Sequence, residues 1–467
     1  MIVMKFGGTS VQDAVAINRV ADIVSSKIAQ KPVVVASAMA RVTDTLLGIA
    51  RAATDRQFAV ASDQIDELRS RHLTVANDLL LLAGVPATDG YSFKNVESAV
   101  SQLFDELENL GWSVGILGEL TPRSRDAIAS FGERLSTLII TAAFRARGIQ
   151  AELVDSRNFL ITDDNFGAAA PDMQATERRA KSIVLPIVES GRVPVAQGFI
   201  GSTPKGVTTT IGRGGGDYSA SIIGAAVGAD SIEIWTDVDG LMTADPRLVP
   251  EARRIRVISF AEAAELSYFG AKVLHPSTML PAIECKIPVH IFNTQNPACE
   301  GTLISAEAHP SRNCVKSIAF KKGTTIIKVT STRMLQAYGF LSAIFGVFDR
   351  HQTSVDVVTT SEVSISMTLD NTERLEAINR DLSAIGEVTI ERDKAIVCVV
   401  GDNLKFTPGI AAGVFRALGD SKVNVNMISQ GASEINLTCV IDEREIQKAV
   451  SQLHGVFFAD PDPEVFA

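Results

Sequence analysis

The first 300 residues alternate between short apolar runs and longer stretches in which apolar residues recur every three or four positions. The short runs predict strands, and the long stretches predict helices such as Asp126–Arg147 and Asp172–Glu189. The predicted strands are Ile2–Phe6, Val33–Ser37, Gln150–Asp155, Val193–Ile200, Ser231–Asp237 and Pro288–Asn293. This alternation is typical of a mostly parallel sheet covered by helices, which binds ligands at the carboxyl ends of its strands.

A second region follows residues 301–317, where this rhythm is lost. It contains an internal repeat at an offset of 70 residues, in which Gly339 matches Gly409 and Asp356 matches Asn426. Each copy has the pattern strand, turn, helix, strand, turn, strand, which predicts two small α+β modules. The alternative is a chance similarity between two amphipathic patterns. We therefore divide the chain into a domain at 1–300, a linker at 301–317 and modules at 318–392 and 393–467.

Charge and cysteine usage narrow the class of protein. The formal net charge is −10, which argues against nucleic acid as the main partner. Five cysteines form no CxxC pair, and six histidines show no zinc-type spacing, so we expect reduced thiols in a cytoplasmic protein. A magnesium ion held by phosphates and carboxylates stays open. Neither a signal-peptide pattern nor an apolar run of about 18 residues is present, so no membrane span is predicted.

The first glycine-rich segment is KFGGTSV, Lys5–Val11, between a predicted strand and a helix expected to begin near Ser10 with a capping box reaching Asp13. Glycines at 7 and 8 let backbone N–H groups approach an anion, and Lys5 adds a cation. These features predict a phosphate cradle. The alternative is a tight turn beside a solvated lysine.

The second glycine-rich segment is TIGRGGGDYSAS at 210–221. Its Arg213 can grip a carboxylate or phosphate with two hydrogen bonds. Asp217 is either the N-cap of the next helix or a group that acts beside phosphoryl transfer. The absence of GxxxxGK[ST], of HRD and DFG, and of GxGxxG with a ribose-binding acid excludes P-loop enzymes and protein kinases and disfavours dehydrogenases.

Together, five segments resemble the motifs of the aspartate kinase family. They are KFGGTSV at 5–11, SFGERLST at 130–137, TTIGRGGGDYSA at 209–220, WTDVDGLMTADPR at 235–247 and FGAKVLHP at 269–276. The resemblance covers essentially the whole chain. It implies the amino-acid kinase fold, a three-layer α/β/α arrangement with a mostly parallel sheet, followed by two ferredoxin-like ACT modules.

The resemblance also implies the reaction and its residues. ATP with Mg²⁺ would phosphorylate the side chain of L-aspartate, the first step towards lysine, threonine and methionine. Lys5 and Asp217 match the catalytic pair, and Ser37, Thr43, Glu133 and Arg213 match aspartate contacts. The implied ATP contacts are Lys5, Gly7, Gly8, Thr9, Thr236, Asp237, Met242, Arg247, Lys272 and Val273. Three positions depart from the family pattern: Met242 replaces a usual Tyr, Ala244 a usual Thr and Gly216 a usual Ser.

The first repeat resembles the lysine-sensitive form of the family, in which the effector lies between ACT modules of two subunits. The residues that this implies for effector binding are Met334, Gly339, Phe340, Leu341, Asp356, Ser361 and Glu362. Asp356 suits the ammonium of lysine, and Asn426 lacks that charge, so we expect the first module to bind lysine and the second to build a homodimer or dimer of dimers. The alternatives are threonine as effector, or modules that serve dimerisation alone.

Two other functions remain open on the sequence. A kinase of the same fold could act on glutamate, acetylglutamate or a nucleoside monophosphate, although the tandem repeat and SFGERLST argue against it. A non-catalytic amino-acid sensor is the other alternative, and the joint presence of Lys5, Glu133, Arg213 and Asp217 argues against that loss of function. Neither alternative needs a membrane or nucleic acid.

Overall fold

The computed structural model describes residues 1–80, 90–212, 214–270, 276–307, 311–331, 338–430 and 435–467. They belong to two compact units. The first unit comprises Met1–Gly240 and Val273–Glu307, and the second comprises Leu241–Lys272 and Ala308–Ala467. Residues 241–270, which the sequence grouped with the first 300, thus belong to the second unit.

The described strands, in chain order, are β1 (Ile2–Phe6), β2 (Pro32–Ala36), β3 (Ala151–Val154), β4 (Val193–Gln197), β5 (Ile200–Ser202), β6 (Thr208–Thr210), β7 (Ser231–Thr236), β8 (Val257–Ser259), β9 (Val289–Asn293), β10 (Thr302–Ser305), β11 (Val315–Thr330), β12 (Val358–Thr360), β13 (Ser364–Leu369), β14 (Glu387–Gly401), β15 (Val425–Ser429) and β16 (Asn436–Asp442).

The described α-helices are α1 (Ala14–Ser26), α2 (Val42–Thr54), α3 (Phe58–Leu80), α4 (Phe93–Leu117), α5 (Pro122–Ala129), α6 (Phe131–Ala146), α7 (Met173–Glu189), α8 (Gly215–Val227), α9 (Phe260–Tyr268), α10 (Leu280–Glu284), α11 (Phe340–Arg350), α12 (Leu375–Ser383), α13 (Ile410–Asp420) and α14 (Ile446–Phe457).

The main sheet of the first unit has the strand order β3-β4-β2-β1-β7-β9-β10. All neighbouring pairs are parallel except β9 and β10. Every residue of β2 and β4 is buried, as expected of strands covered by helices on both faces. The predicted parallel sheet is therefore confirmed, and the six predicted strands appear within a few residues of their expected ends.

The predicted helix at 126–147 is instead two helices, α5 and α6, which meet at Ser130. Thr121 caps α5 through its hydroxyl, and Pro122 occupies the first turn, so the chain has a start signal that the apolar pattern alone does not show. Of the described segments, Pro122–Ala146 is long and apolar enough to cross a membrane, but 83% of its most apolar window is buried in the unit. It is a core segment.

The second unit contains one antiparallel sheet with the order β12-β13-β11-β14-β16-β15. The repeat is visible in its geometry, because α11 and α13 each follow a glycine with positive φ, Gly339 at 81° and Gly409 at 91°. Each copy also contains a second helix, α12 or α14, that the predicted pattern omitted.

The two repeats share their long central strands. Near their midpoints, β11 and β14 each contain a residue with positive φ, Gly323 at 71° and Asp393 at 56°, and the register of their pairing shifts between Lys321 and Thr324. Before this point β11 pairs with the second half of β14, and after it with β13 and the first half of β14. Residues 318–321, assigned from sequence to the first module, therefore pair with the strand of the second.

Candidate active site

A cavity of about 390 Å³ opens in the first unit where β1 and β2 end. It is formed by the loop after each strand, by one residue of α6 and by the glycine-rich start of α8. The lining residues are Lys5, Gly8, Ser37, Ala38, Met39, Ala40, Arg41, Thr43, Asp44, Glu133, Phe199, Gly212, Gly214, Gly215, Gly216 and Asp217. The carboxyl edge of the sheet thus brings together both glycine-rich loops, as the strand order requires.

Lys5 and Asp217 form an ion pair inside this cavity, with Nζ and Oδ1 2.7 Å apart. The two side chains are 11% and 15% exposed, so the pair is largely shielded yet open on one side. Asp217 does not cap α8, because it lies within the first turn and the N-cap residue is Gly214, which has a φ of 72° and provides no side-chain cap. Of the two alternatives left by the sequence, the geometry therefore favours a group that orients the lysine.

The first glycine loop packs directly on the loop after β2. A Cβ at Gly8 would lie 2.9 Å from the carbonyl oxygen of Ala38, so a side chain there would force the two loops apart. The helix expected near Ser10 begins at Ala14, because Asp13 accepts the N–H of Ala16 at 2.8 Å. Ser10 instead pairs with the hydroxyl of Thr294 at 2.7 Å, so the predicted capping box is wrong.

Gly216 lets the first turn of α8 lie against two side chains of the site. A Cβ at this position would lie 2.8 Å from Ser37 Oγ and 3.0 Å from Lys5 Cε. The departure from the family's usual Ser therefore leaves space that Ser37 and Lys5 use. The ammonium of Lys5 thereby lies beside the start of α8, so its charge and the partial positive charge of the helix N-terminus would act on the same bound anion.

Glu133 lies in the first turn of α6 and is only 3% exposed. Its Oε1 accepts the N–H of Ala38 at 3.2 Å, while Oε2 has no hydrogen-bond partner among the described residues. Burial raises its pKa from the ordinary 4.5 to about 8. A buried carboxylate without a cation is costly unless a ligand supplies one, which is the role expected for a substrate ammonium.

Buried contacts that the sequence did not reveal hold the loops in place. Asp126 accepts the backbone N–H groups of Thr210 and Gly167 at 2.8 and 2.9 Å, and so fixes β6 just before the second glycine loop. Ser136, within SFGERLST, donates its hydroxyl to the carbonyl of Ser37 at 2.6 Å. Ser136 could have been proposed as a site residue because it lies in the motif. The contact between Asp126 and Thr210 could not, because 84 residues separate the two in the chain.

Comparison with known proteins identifies the family. A model of the amino acid kinase family matches residues 1–293, and a model of the ACT domain matches residues 397–457. The lysine-sensitive aspartokinase 3 of Escherichia coli is 37% identical over 98% of this chain and 99% of its own length. The aspartokinase of Schizosaccharomyces pombe is 33% identical over 97% and 92%. This chain belongs to the aspartokinase family.

Solved aspartokinases show the same fold. The E. coli aspartokinase III in complex with aspartate and ADP has a TM-score of 0.82 and 35% identity, and covers 98% of this chain and 100% of its own. The same enzyme in complex with lysine and aspartate has a TM-score of 0.81 and 36% identity, with 98% and 99% covered. The resemblance stated from the five motifs is thus confirmed, as is the kinase fold followed by ACT structure.

The predicted nucleotide contacts of this aspartokinase are not all at the cavity. Gly7 adjoins it, since a Cβ there would lie 3.5 Å from Lys5 Nζ, and Thr9 is exposed in the following turn. Thr236 ends β7 and Asp237 follows it, and the hydroxyl of Thr236 donates to the carboxylate of Asp237 at 3.2 Å. Neither residue lines the cavity. Arg213, Lys272 and Val273 lie outside the described residues.

Two further predicted nucleotide contacts belong to the second unit. The carbonyl of Met242 accepts the hydroxyl of Ser317 at 2.7 Å. The side chain of Arg247 is 86% exposed and pairs with Asp245 at 2.6 Å, which holds the pKa of that carboxyl below its usual value. Arg247 is therefore accessible, but it already has a local partner.

The predicted effector residues lie in the first repeat, except that Met334 is outside the described residues. Gly339 and Phe340 start α11, and Leu341 is 43% exposed. Ser361 and Glu362 are exposed in the turn before β13, where the hydroxyl of Ser361 lies 2.9 Å from that of Ser364.

Asp356 differs from the other predicted effector residues, because its side chain is only 3% exposed. Its Oδ1 accepts the phenol of Tyr268 at 2.5 Å, and its Oδ2 lies 3.2 Å from Lys321 Nζ. Lys321 also pairs with Asp370 at 2.8 Å. Burial and this hydrogen bond raise the pKa of Tyr268 above its usual value. The acid expected to meet an effector ammonium is thus already bonded within the chain.

Proposed function

We propose that this chain transfers the γ-phosphoryl group of ATP to the side-chain carboxylate of L-aspartate and forms 4-phospho-L-aspartate. The observation that carries the proposal is the Lys5–Asp217 ion pair, placed between two glycine loops in a cavity that also holds the buried Glu133. The similarity to an aspartokinase solved with aspartate and ADP supports it. The product would enter the synthesis of lysine, threonine and methionine.

Each substrate has a group of matching charge in the site. Glu133 would take the ammonium of aspartate, because its second carboxylate oxygen is unbonded among the described residues. Ser37 and Thr43 would contact the same substrate, and Arg213 would hold a carboxylate. The similarity to aspartokinases favours aspartate over glutamate or acetylglutamate, and the Lys5–Asp217 pair argues against a sensor without turnover.

In the reaction, an oxygen of the aspartate side chain attacks the γ-phosphorus, and the bond from that phosphorus to the β–γ bridging oxygen breaks as ADP leaves. Lys5 would stabilise charge on the transferring group, and Asp217 would orient Lys5. Backbone N–H groups at Gly7 and Gly8 would receive phosphate oxygens. Such transfers need positioning and charge neutralisation more than covalent help.

Magnesium would accompany ATP in this proposal. The described residues contain no group of three or more His, Cys, Asp or Glu side chains placed to hold a metal ion. The carboxylates of Asp44 and Asp217 in the cavity are the oxygen ligands that Mg²⁺ favours, and they fit an ion bound chiefly by phosphates. When bound, the ion would neutralise phosphate charge. Thr9, Thr236, Asp237, Met242, Arg247, Lys272 and Val273 remain our proposed further contacts to the nucleotide.

Regulation by lysine is the second part of the proposal. Met334, Gly339, Phe340, Leu341, Asp356, Ser361 and Glu362 would line an effector site in a homodimer or dimer of dimers built by the ACT modules. The E. coli relative solved with lysine and aspartate supports this choice of effector over threonine. We keep the division 1–300, 301–317, 318–392 and 393–467 as proposed domains. The free thiols of Cys285, Cys299, Cys314, Cys398 and Cys439 support a cytoplasmic location.

The test is the initial rate of ATP-dependent acyl-phosphate formation, trapped as the hydroxamate, with and without lysine. We expect aspartate to be used well above glutamate, and lysine to suppress the rate. A rate that lysine leaves unchanged would keep the kinase and reject this effector. No rate with any acceptor would reject the kinase and favour the sensor.

A further inference from the structure

Arg41 occupies a backbone position that arginine rarely adopts. Its φ is 68° and its ψ is −4°, in the left-handed region. It is the third residue of a turn closed by a hydrogen bond from the N–H of Val42 to the carbonyl of Met39 at 3.0 Å. Gly or Asn is favoured where such a turn needs positive φ. Non-glycine residues in strained conformations concentrate at functional sites.

The surrounding structure imposes this turn. Arg71 on α3 donates to the carbonyl of Ala40 at 3.0 Å and to that of Gln12 at 3.1 Å, which ties the two loops of the cavity together. The N–H of Ala40 also donates to the carbonyl of Gly8 at 3.1 Å. Arg41 is therefore held at the cavity by contacts to the residue immediately before it.

Arg41 lines the cavity without a side-chain partner among the described residues. Among its described lining residues, three carboxylates, Asp44, Glu133 and Asp217, face two cations, Lys5 and Arg41. Lys5 is paired with Asp217. Within the described part of the chain, no hydrogen bond or ion pair joins the guanidinium of Arg41 to another residue, and the side chain is exposed.

We propose that Arg41 is a substrate-binding residue whose guanidinium holds an oxyanion of the reacting pair, either a carboxylate of aspartate or the γ-phosphoryl group of ATP. The inference rests on the proposed function, since both of those substrates are anionic. A planar fork of donors suits either group. The strained turn is the structural cost of placing that fork between Ser37 and Thr43.

The experiment replaces Arg41 by Gly, which removes the guanidinium and also relieves the positive φ. The matched control is Arg56→Gly. Arg56 is likewise exposed with a positive φ of 59°, but it lies beyond the other end of α2, about 20 Å away along that helix, and does not line the cavity. Both variants should unfold at a temperature no lower than the wild type, because glycine tolerates this conformation.

Steady-state rates and calorimetric titrations with aspartate and with ATP, all on the full chain, identify the ligand. A rise in the KM and Kd for aspartate of about tenfold or more in Arg41→Gly, with Arg56→Gly unchanged, assigns the guanidinium to the carboxylate. The same rise for ATP, or a similar fall in kcat, assigns it to the phosphoryl group. Arg41→Lys should recover part of the loss, because it restores charge without the fork.

Arg41→Gly that matches Arg56→Gly in every constant, within about twofold, overturns the proposal. The calorimetric arm keeps this result separate from a failure of the proposed function. If the wild type binds aspartate or ATP without turnover, the kinase assignment fails, while the comparison of Arg41→Gly with Arg56→Gly still decides whether Arg41 binds either ligand. If the wild type binds neither, both proposals fall.

Discussion

Each unit of the chain contains a lysine–aspartate pair, and the two pairs differ in what surrounds them. Lys5 and Asp217 meet at 2.7 Å with both side chains partly exposed to a cavity, and Gly216 lets the side chains of Lys5 and Ser37 pack against the start of α8. Lys321 and Asp356 meet at 3.2 Å, and Tyr268 and Asp370 complete their hydrogen bonding. The first pair can accept an anion beside it, whereas each member of the second pair already has a further protein partner.

This difference indicates how each pair would respond to a ligand. Phosphate oxygens can approach Lys5 without breaking its bond to Asp217, because an ammonium has three donors. An effector ammonium that approaches Asp356 must instead compete with Lys321 or Tyr268. Replacing one partner of a buried pair leaves the other uncompensated, so the second pair resists opening. The first pair is thus suited to stabilising the charge of a bound anion. At the second pair, an effector binds Asp356 only when its concentration is high enough to displace a protein partner.

The largest effect is expected from breaking the first pair. Lys5→Met should lower kcat by about a thousandfold or more, because charge stabilisation of the transferring group is lost. Asp217→Asn should lower it strongly, and the double variant should cost no more than Lys5→Met alone, since the two act as a unit. Steady-state rates measure this, with circular dichroism to check folding.

Lys181→Met is the control for that series, because Lys181 forms an exposed pair with Glu177 on α7 and should leave the rate unchanged. Effects of Lys5→Met and Asp217→Asn that simply multiply would show that the two residues contribute independently. Retained turnover in both would reject the role assignment.

An intermediate effect is expected from Glu133, an acid that has no cation at all among the described residues. Its carboxylate form binds the substrate ammonium, and its pKa in the free enzyme is about 8. The KM for aspartate should therefore fall as pH rises towards 8, and climb about tenfold per unit at lower pH. Glu133→Gln should raise this KM about a hundredfold and remove the pH dependence.

The stability of the free enzyme has its own pH dependence from the same group. Because the folded pKa lies above the unfolded 4.5, the contribution of Glu133 is fully present below pH 4.5 and is lost as pH rises through 8. Glu133→Gln should flatten that part of the unfolding profile, whereas Glu189→Gln at the exposed end of α7 should not. Equal profiles in the wild type and Glu133→Gln would mean that the carboxylate is not shielded in solution.

The smallest effect is expected at the second pair. Tyr268→Phe removes one donor from Asp356 and keeps the ring, so an effector ammonium would meet less competition. The lysine concentration for half-inhibition should fall by about two- to fivefold, with the rate in the absence of lysine unchanged. An unchanged or raised half-inhibitory concentration would show that Asp356 does not need to leave Tyr268 when lysine binds.

The sequence predicted what local pattern and loop chemistry determine. The strands and the repeat follow from periodicity, and the meeting of the two glycine-rich loops at one sheet edge follows from the rule for parallel sheets. The places of Ser37 and Glu133 in the site were predicted from the family resemblance alone. The break at Ser130 was missed, because the apolar face continues across it.

Contacts between distant segments could not be predicted from the sequence. Arg71 donates to the carbonyl of Gln12, 59 residues earlier in the chain, and Asp126 accepts from Thr210, 84 residues later. No spacing rule predicts either contact. The partners of Asp356 are hidden for the same reason. Tyr268 comes from 88 residues earlier in the chain, and Lys321 faces Asp356 only through the fold of the sheet. Complementary charges alone give many candidate pairs, and tertiary packing selects among them.

The shared strands β11 and β14 determine the order in which the second unit can be completed during synthesis. The second half of β11 pairs with β13 and with the first half of β14, and both have been made once the chain reaches Lys394. The first half of β11 cannot pair until residues 396–401 have been made, and the sheet of the second repeat also needs β16. The first repeat is thus inserted within the second. The second repeat, whose first strand residues are made before the first repeat, is completed after it.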